Sequence, residues 1–163
     1  VSYIYNILCM IKLKDILLEG KPSSIFVPRR LEDRVERMIK NYIRNDSKGN
    51  LSLSDLKLTK LPDILKDITV GGSFYCTFNN LTSLENCPSS VGENFSCTSN
   101  LLTSLKGAPT SVGVDFYCGY NDLTSLAGVP KSVGGDFYCN NNPVRFTEKQ
   151  VRAVCDVKGD VYV

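Results

Sequence analysis

FYCTFNNLTSLENCPSSVGEN (residues 74–94) is followed without a break by FSCTSNLLTSLKGAPTSVGVD (95–115) and FYCGYNDLTSLAGVPKSVGGD (116–136), and the frame resumes at Phe137. Phe74, Phe95, Phe116 and Phe137 recur every 21 residues, with Cys76, Cys97, Cys118, Cys139 and Asn79, Asn100, Asn121, Asn142 in step. Leu81, Leu102, Leu123 and Val144 form a further column, as do Leu84, Leu105 and Leu126, then Pro88, Pro109 and Pro130. Val70, Val91, Val112 and Val133 are each followed by glycine. Working back from this frame, a degenerate unit begins at Leu51, with Leu51 and Leu53 in the Phe and Cys slots and two extra residues before Val70. The array therefore has about five rungs, above the roughly three that repeat architectures need to bury a continuous core.

A recurring unit this short must bury its apolar side chains by stacking on its neighbours. Side chains alternate along a strand, so Phe74 and Cys76 are expected to point inward and Ser73, Tyr75 and Thr77 outward. The strands then form a parallel sheet at about 4.8 Å spacing. The repeated glycine marks a backbone position that disfavours a Cβ, and the repeated proline suits an extended return segment. The asparagine column is expected to satisfy backbone groups at the turn leaving each strand.

These columns resemble the leucine-rich-repeat consensus L-x-L-x-x-N-x-L-x-x-L, with Phe and Cys in place of the first two leucines. The unit length, the proline and the lack of a helix-length segment are similar to the short bacterial subtype, found in secreted effectors and in bacterial and phage proteins. The resemblance implies a fold that is α/β by convention but strand-dominated: a leucine-rich-repeat solenoid with a parallel β-sheet. Such an array exposes apolar ends and needs caps. An N-terminal helical cap is expected from Leu31, Val35, Met38, Ile39, Tyr42 and Ile43 at helical spacing, with Asp33 to Arg37 and Glu36 to Lys40 at supporting i,i+4 spacing. A C-terminal helix-strand cap is expected from the capping box Thr147-Glu148-Lys149-Gln150, an apolar face of Val151, Val154 and Cys155, and a closing strand over 161–163. One continuous structural domain results, with residues 1–49 as N-terminal segment and cap, 50–142 as the array and 143–163 as the C-terminal cap. Residues 11–18 read as a short helix and 21–27 as a connector.

The rest of the chain bounds function. A formal charge of +2 over 163 residues makes no case for nucleic acid. The apolar opening, residues 1–9, is too short to span a bilayer and lacks the flanks of a secretory signal, and it precedes the first methionine, Met10. A cytoplasmic or virus-associated location is expected. Histidine is absent, which removes His-based activation of a nucleophile, so no enzyme is expected. The seven cysteines, an odd number, do not suggest a secreted disulfide framework. Thiols in a ladder point the same way instead of converging on a metal, so core filling is their expected role and no metal or cofactor is anticipated.

Outward positions of the strands are not dictated by packing. Tyr75, Ser96, Tyr117 and Tyr138 form one such column, and Phe78, Ser99, Tyr120 and Asn141 form a second. Asp115 and Asp136, with Ser73 and Asn94, add a polar and partly acidic edge. Exposed Tyr and Phe in a patch point to a protein partner, although cross-strand aromatic contacts also stabilise sheets. The expected function is a non-enzymatic protein-binding module using Tyr75, Phe78, Tyr117, Tyr120, Tyr138, Asp115 and Asp136. The alternatives are a self-assembling structural component, such as part of a phage particle, or the targeting portion of a larger effector.

Overall fold

The computed structural model describes residues 31–163. The expectations for residues 1–9, 11–18 and 21–27 lie outside the described residues. The chain divides into two compact units at Asn45/Asp46. No helix among the described residues is long and apolar enough to cross a membrane.

Of the first unit, helix α1 (Leu31–Arg44) is described. Its stripe is the one its spacing demands, with Val35, Ile39, Tyr42 and Ile43 buried; Leu31 at the first turn is exposed and Met38 is half-buried. Glu36 and Lys40 pair across one turn at 2.7 Å. The Asn45 N–H closes the last turn on the carbonyls of Asn41 and Tyr42.

The second unit is a parallel-strand solenoid of about five turns, each near 21 residues. Its strands are β1 (Leu51–Ser52), β2 (Phe74–Tyr75), β3 (Ser90–Val91), β4 (Phe95–Ser96), β5 (Ser111–Val112), β6 (Phe116–Tyr117), β7 (Ser132–Val133), β8 (Phe137–Tyr138), β9 (Asp156–Val157) and β10 (Val161–Tyr162). Strands β1, β2, β4, β6, β8 and β10 form one parallel sheet, in that order. The register pairs Leu51 with Phe74, Phe74 with Phe95 and onward to Phe137 with Val161, so the degenerate first unit is a true rung. A 3-10 helix (Asp63–Asp67), burying Leu65, occupies the return segment of that longer unit.

A second parallel sheet, β3-β5-β7-β9, runs through the return segments; only one sheet was expected. It exists because the Ser-Val-Gly triplet recurs in phase: Val91, Val112 and Val133 face the core while Ser90, Ser111 and Ser132 remain partly exposed. The glycines that follow set how closely the coils approach. A Cβ built on Gly92, Gly113 or Gly134 would collide with the carbonyl oxygen of the glycine one rung earlier.

Between the sheets lies a stack of four phenylalanines, none with measurable exposure, their ring centroids 5.9, 5.2 and 5.1 Å apart. Burial of one such ring stabilises by roughly 2–3 kcal/mol. Leu81, Leu84, Leu102, Leu105 and Leu123 lie in the same core. Asn79, Asn100, Asn121 and Asn142 form the backbone-satisfying ladder expected of them. Asn100, for example, donates to the carbonyls of Cys76 and Cys97, both at 3.0 Å, and accepts the Leu81 N–H at 3.0 Å.

The C-terminal end differs in detail from its expectation. The capping box forms: Thr147 N–H donates to Gln150 Oε1 at 2.8 Å, and the Gln150 N–H to Thr147 Oγ1 at 3.3 Å. Helix α2 (Glu148–Arg152) is a short element, so Val154 falls beyond it and is exposed, while Val151 and Cys155 are buried. Val144, in a leucine slot by count, is exposed too, because the chain leaves the repeat frame at Pro143. Arg152 ties α2 to the final rung, donating to the carbonyls of Val157 and Gly159 at 2.7 and 2.8 Å.

Candidate functional site

The outward face of the six-stranded sheet carries three parallel columns, set by the strand, its entrance and its exit. On the strands, Ser52, Tyr75, Ser96, Tyr117, Tyr138 and Tyr162 stand in register. Tyr117 and Tyr138 stack at 4.6 Å with 9° between their planes, and Tyr138 and Tyr162 at 4.5 Å with 5°. Sequence reasoning missed Tyr162, because the final unit is longer than 21 residues; the recurring D-x-Y signal (Asp115-Tyr117, Asp136-Tyr138, Asp160-Tyr162) would have found it.

At the entrance, the polar edge proves to be a second hydrogen-bonded ladder. Asn50 accepts the Ser73 N–H at 2.8 Å, Ser73 Oγ the Asn94 N–H at 3.2 Å, and Asn94 the Asp115 N–H at 3.1 Å. Asp115 Oδ1 accepts the Asp136 N–H, and Asp136 Oδ1 the Asp160 N–H, both at 2.8 Å. Ser73, expected to face outward, is consequently buried at 1% exposure, its hydroxyl also donating to Glu93. Asp115 and Asp136 are half-buried. Their second oxygens accept the hydroxyls of Tyr117 and Tyr138 at 2.9 and 3.1 Å. Burial, then the adjoining Asp115, pushes the Tyr117 phenol up to about 12; burial and Asp136 push Tyr138 up as well. Both tyrosines therefore remain hydrogen-bond donors at neutral pH.

At the exit turn the chain bends through the left-handed region on every rung: Asp55, Phe78, Ser99, Tyr120 and Asn141 have φ of 54°, 53°, 57°, 53° and 58°. Asp and Asn tolerate this geometry, whereas a bulky side chain there is strained, at a cost of roughly 1–2 kcal/mol. Phe78 and Tyr120 are nevertheless 65% and 59% exposed and stack on no other ring among the described residues. Leu101, at the exit of the intervening rung, is 48% exposed and was not anticipated.

The structure thus brings the seven expected residues onto one face and separates them by role. Tyr117, Tyr138, Asp115 and Asp136 hold one another and the ladder. Tyr75 is half-buried in the strand column, beside Ser96. Phe78 and Tyr120 are strained and exposed, with no compensating ring contact among the described residues.

The cysteines lie inside. All six among the described residues are free and buried, and burial raises the thiols of Cys87, Cys97 and Cys118, with Cys76 at about 12 and Cys155 at about 11. Burial disfavours the thiolate at these five, whereas a hydrogen bond from Cys118 lowers the Cys139 thiol. Over the second sheet lies an open groove of about 610 Å³, with Lys158 among its lining residues. Its glycine N–H groups already bond to neighbouring coils, which leaves the serine hydroxyls as its polar side-chain contribution along β3, β5 and β7. The aromatic face is the more distinctive surface. No family model matches the sequence, and no curated protein matches it.

Proposed function

We propose that the chain is a leucine-rich-repeat protein acting as a non-enzymatic protein-binding module through the aromatic face of its six-stranded sheet. The observation that carries this reading is the pair Phe78 and Tyr120. Each combines a left-handed backbone with a bulky, largely exposed ring. Strain retained without a local return is characteristic of functional positions, and exposed aromatic anchors are enriched where proteins bind one another. The stacked tyrosines, which begin on the rung of Tyr120, form a rigid platform that loses little conformational freedom on binding.

The test is affinity capture from native host lysate with the full chain and with a Phe78→Asn/Tyr120→Asn variant. Asparagine suits the turn, as Asn141 does on a later rung, so the fold is retained. A partner held by the parent chain and lost by the folded variant supports this face; equal capture by both rejects it.

A further inference from the structure

Charge is segregated around the coils. From each strand-opening glycine to the end of the exit turn, four successive rungs (71–80, 92–101, 113–122 and 134–143) contain Glu93, Asp115, Asp122 and Asp136 but no lysine or arginine. Asp160 continues the column on the last rung. Lys106 and Lys131 sit in return segments, and the lysines near this face lie on the flanking rungs: Lys48 before Gly49 and Lys57 at the exit turn of the first, and Lys158, paired with Asp156, before Gly159 on the last. Among the described residues, no ion pair reaches Glu93, Asp115, Asp122, Asp136 or Asp160. Carboxylates on neighbouring rungs of a parallel sheet are about 4.8 Å apart, and like charges placed opposite one another are destabilising. The face therefore sets carboxylates along the entrance, hydrogen-bonded at Asp115 and Asp136 by a backbone N–H and a tyrosine hydroxyl but paired with no cation among the described residues, beside open aromatic rings along the exit. A cationic group complements both, by charge pairing with the first and cation–π contact with the second.

We propose that this face binds a cationic polypeptide segment, its arginine or lysine heads meeting the Asp115–Asp136 edge and the open rings of Phe78 and Tyr120. The inference rests on the binding role proposed for the same face and names the chemistry of the partner. The two columns are five residues apart along the strand, at most roughly 16 Å at about 3.3 Å per residue, a span that about five extended residues of a partner cover. The chain as a whole carries a formal charge of +2, so its net charge does not attract a polycation. Binding must come from the local face.

The experiment is fluorescence anisotropy on the full chain with a labelled hexa-arginine peptide, compared with hexa-citrulline, which keeps the shape and loses the charge. Saturable binding of the arginine peptide and none of the citrulline peptide is expected, with affinity falling as salt is raised past the screening range. An Asp115→Asn/Asp136→Asn variant should bind about tenfold more weakly. Asn94 already fills this column with the same backbone bond, so the ladder is kept, and thermal melting verifies it. If that variant melts early, Glu93→Gln/Asp122→Asn removes charge from exposed positions instead and should weaken binding in the same direction. Equal binding of both peptides, binding of neither, or unchanged affinity in the folded charge variants overturns the proposal. Arginine-peptide binding that survives Phe78→Asn/Tyr120→Asn but falls in the charge variants upholds the cationic partner while rejecting the aromatic anchors. A captured partner that depends on those anchors, with neither peptide bound, upholds the binding face and overturns its cationic specificity.

Discussion

The hydroxyl of Tyr117 donates to Oδ2 of Asp115 across 2.9 Å, while the other oxygen of the same carboxylate accepts the backbone N–H of the next rung. One side chain thus couples the aromatic platform to the coil spacing. Tyr117→Phe keeps the ring stack and loses a single bond, and should cost about 0.5–1.5 kcal/mol in urea unfolding. Asp115→Ala also leaves the half-buried Asp136 N–H without its acceptor, and should cost about 1–3 kcal/mol. Equal effects of the two changes would contradict the ladder.

Asn100 satisfies three buried backbone groups from within the core. Asn100→Ala strands the buried Leu81 N–H and leaves the Cys76 and Cys97 carbonyls to the Asn79 and Asn121 amides, and is expected to destabilise by about 1–3 kcal/mol. Asn100→Asp preserves shape but faces two carbonyls with an acceptor, and its ionised form is the worse of the two. Its unfolding midpoint should therefore be lower at pH 7 than at pH 4, a difference greater than that of the parent chain.

Gly113 lies where a side chain would strike the Gly92 carbonyl. Gly113→Ala must spread two coils that Phe95 and Phe116 hold in contact, and should cost at least about 1–3 kcal/mol. Thermal melting measures this. A neutral result would mean that the second sheet does not set the rung spacing.

Strain at the exit turn makes the opposite prediction. Tyr120→Asn relieves a left-handed aromatic and removes an exposed ring, and should raise stability by roughly 1 kcal/mol in urea unfolding. A stability gain accompanied by loss of binding is what a functional anchor produces; a stability loss would show that the ring supports the fold.

The buried thiols confer alkaline sensitivity. An unfolded cysteine ionises near its ordinary value of 9.0, whereas burial holds Cys76 protonated to about 12 and Cys155 to about 11. Above pH 9 the folded state binds more protons than the unfolded one, so stability falls with rising pH. It should be complete below pH 9 and decline from there through pH 12, with Tyr117 adding to the fall above pH 10. Urea midpoints between pH 8 and 11 test this, and Cys76→Ala should shallow the decline.

The repeat, the inward Phe, Cys and Leu columns, the asparagine ladder, the register of the rungs and both terminal helices follow from the sequence alone. Each is a consequence of local periodicity: a column that recurs every 21 residues has to meet itself when the chain stacks. What the sequence could not determine depended on atoms brought together from different coils. The second sheet requires the return segments to lie within hydrogen-bonding reach of one another. Ser73 is buried, and Asp115 and Asp136 are structural acceptors, because a backbone N–H from the following rung lands on each. Tyr162 joins the tyrosine stack across an irregular spacing that only the path of the C-terminal cap allows. The backbone conformation of Phe78 and Tyr120, which distinguishes them from the tyrosines that support the fold, is set by the turn that every coil must make to close.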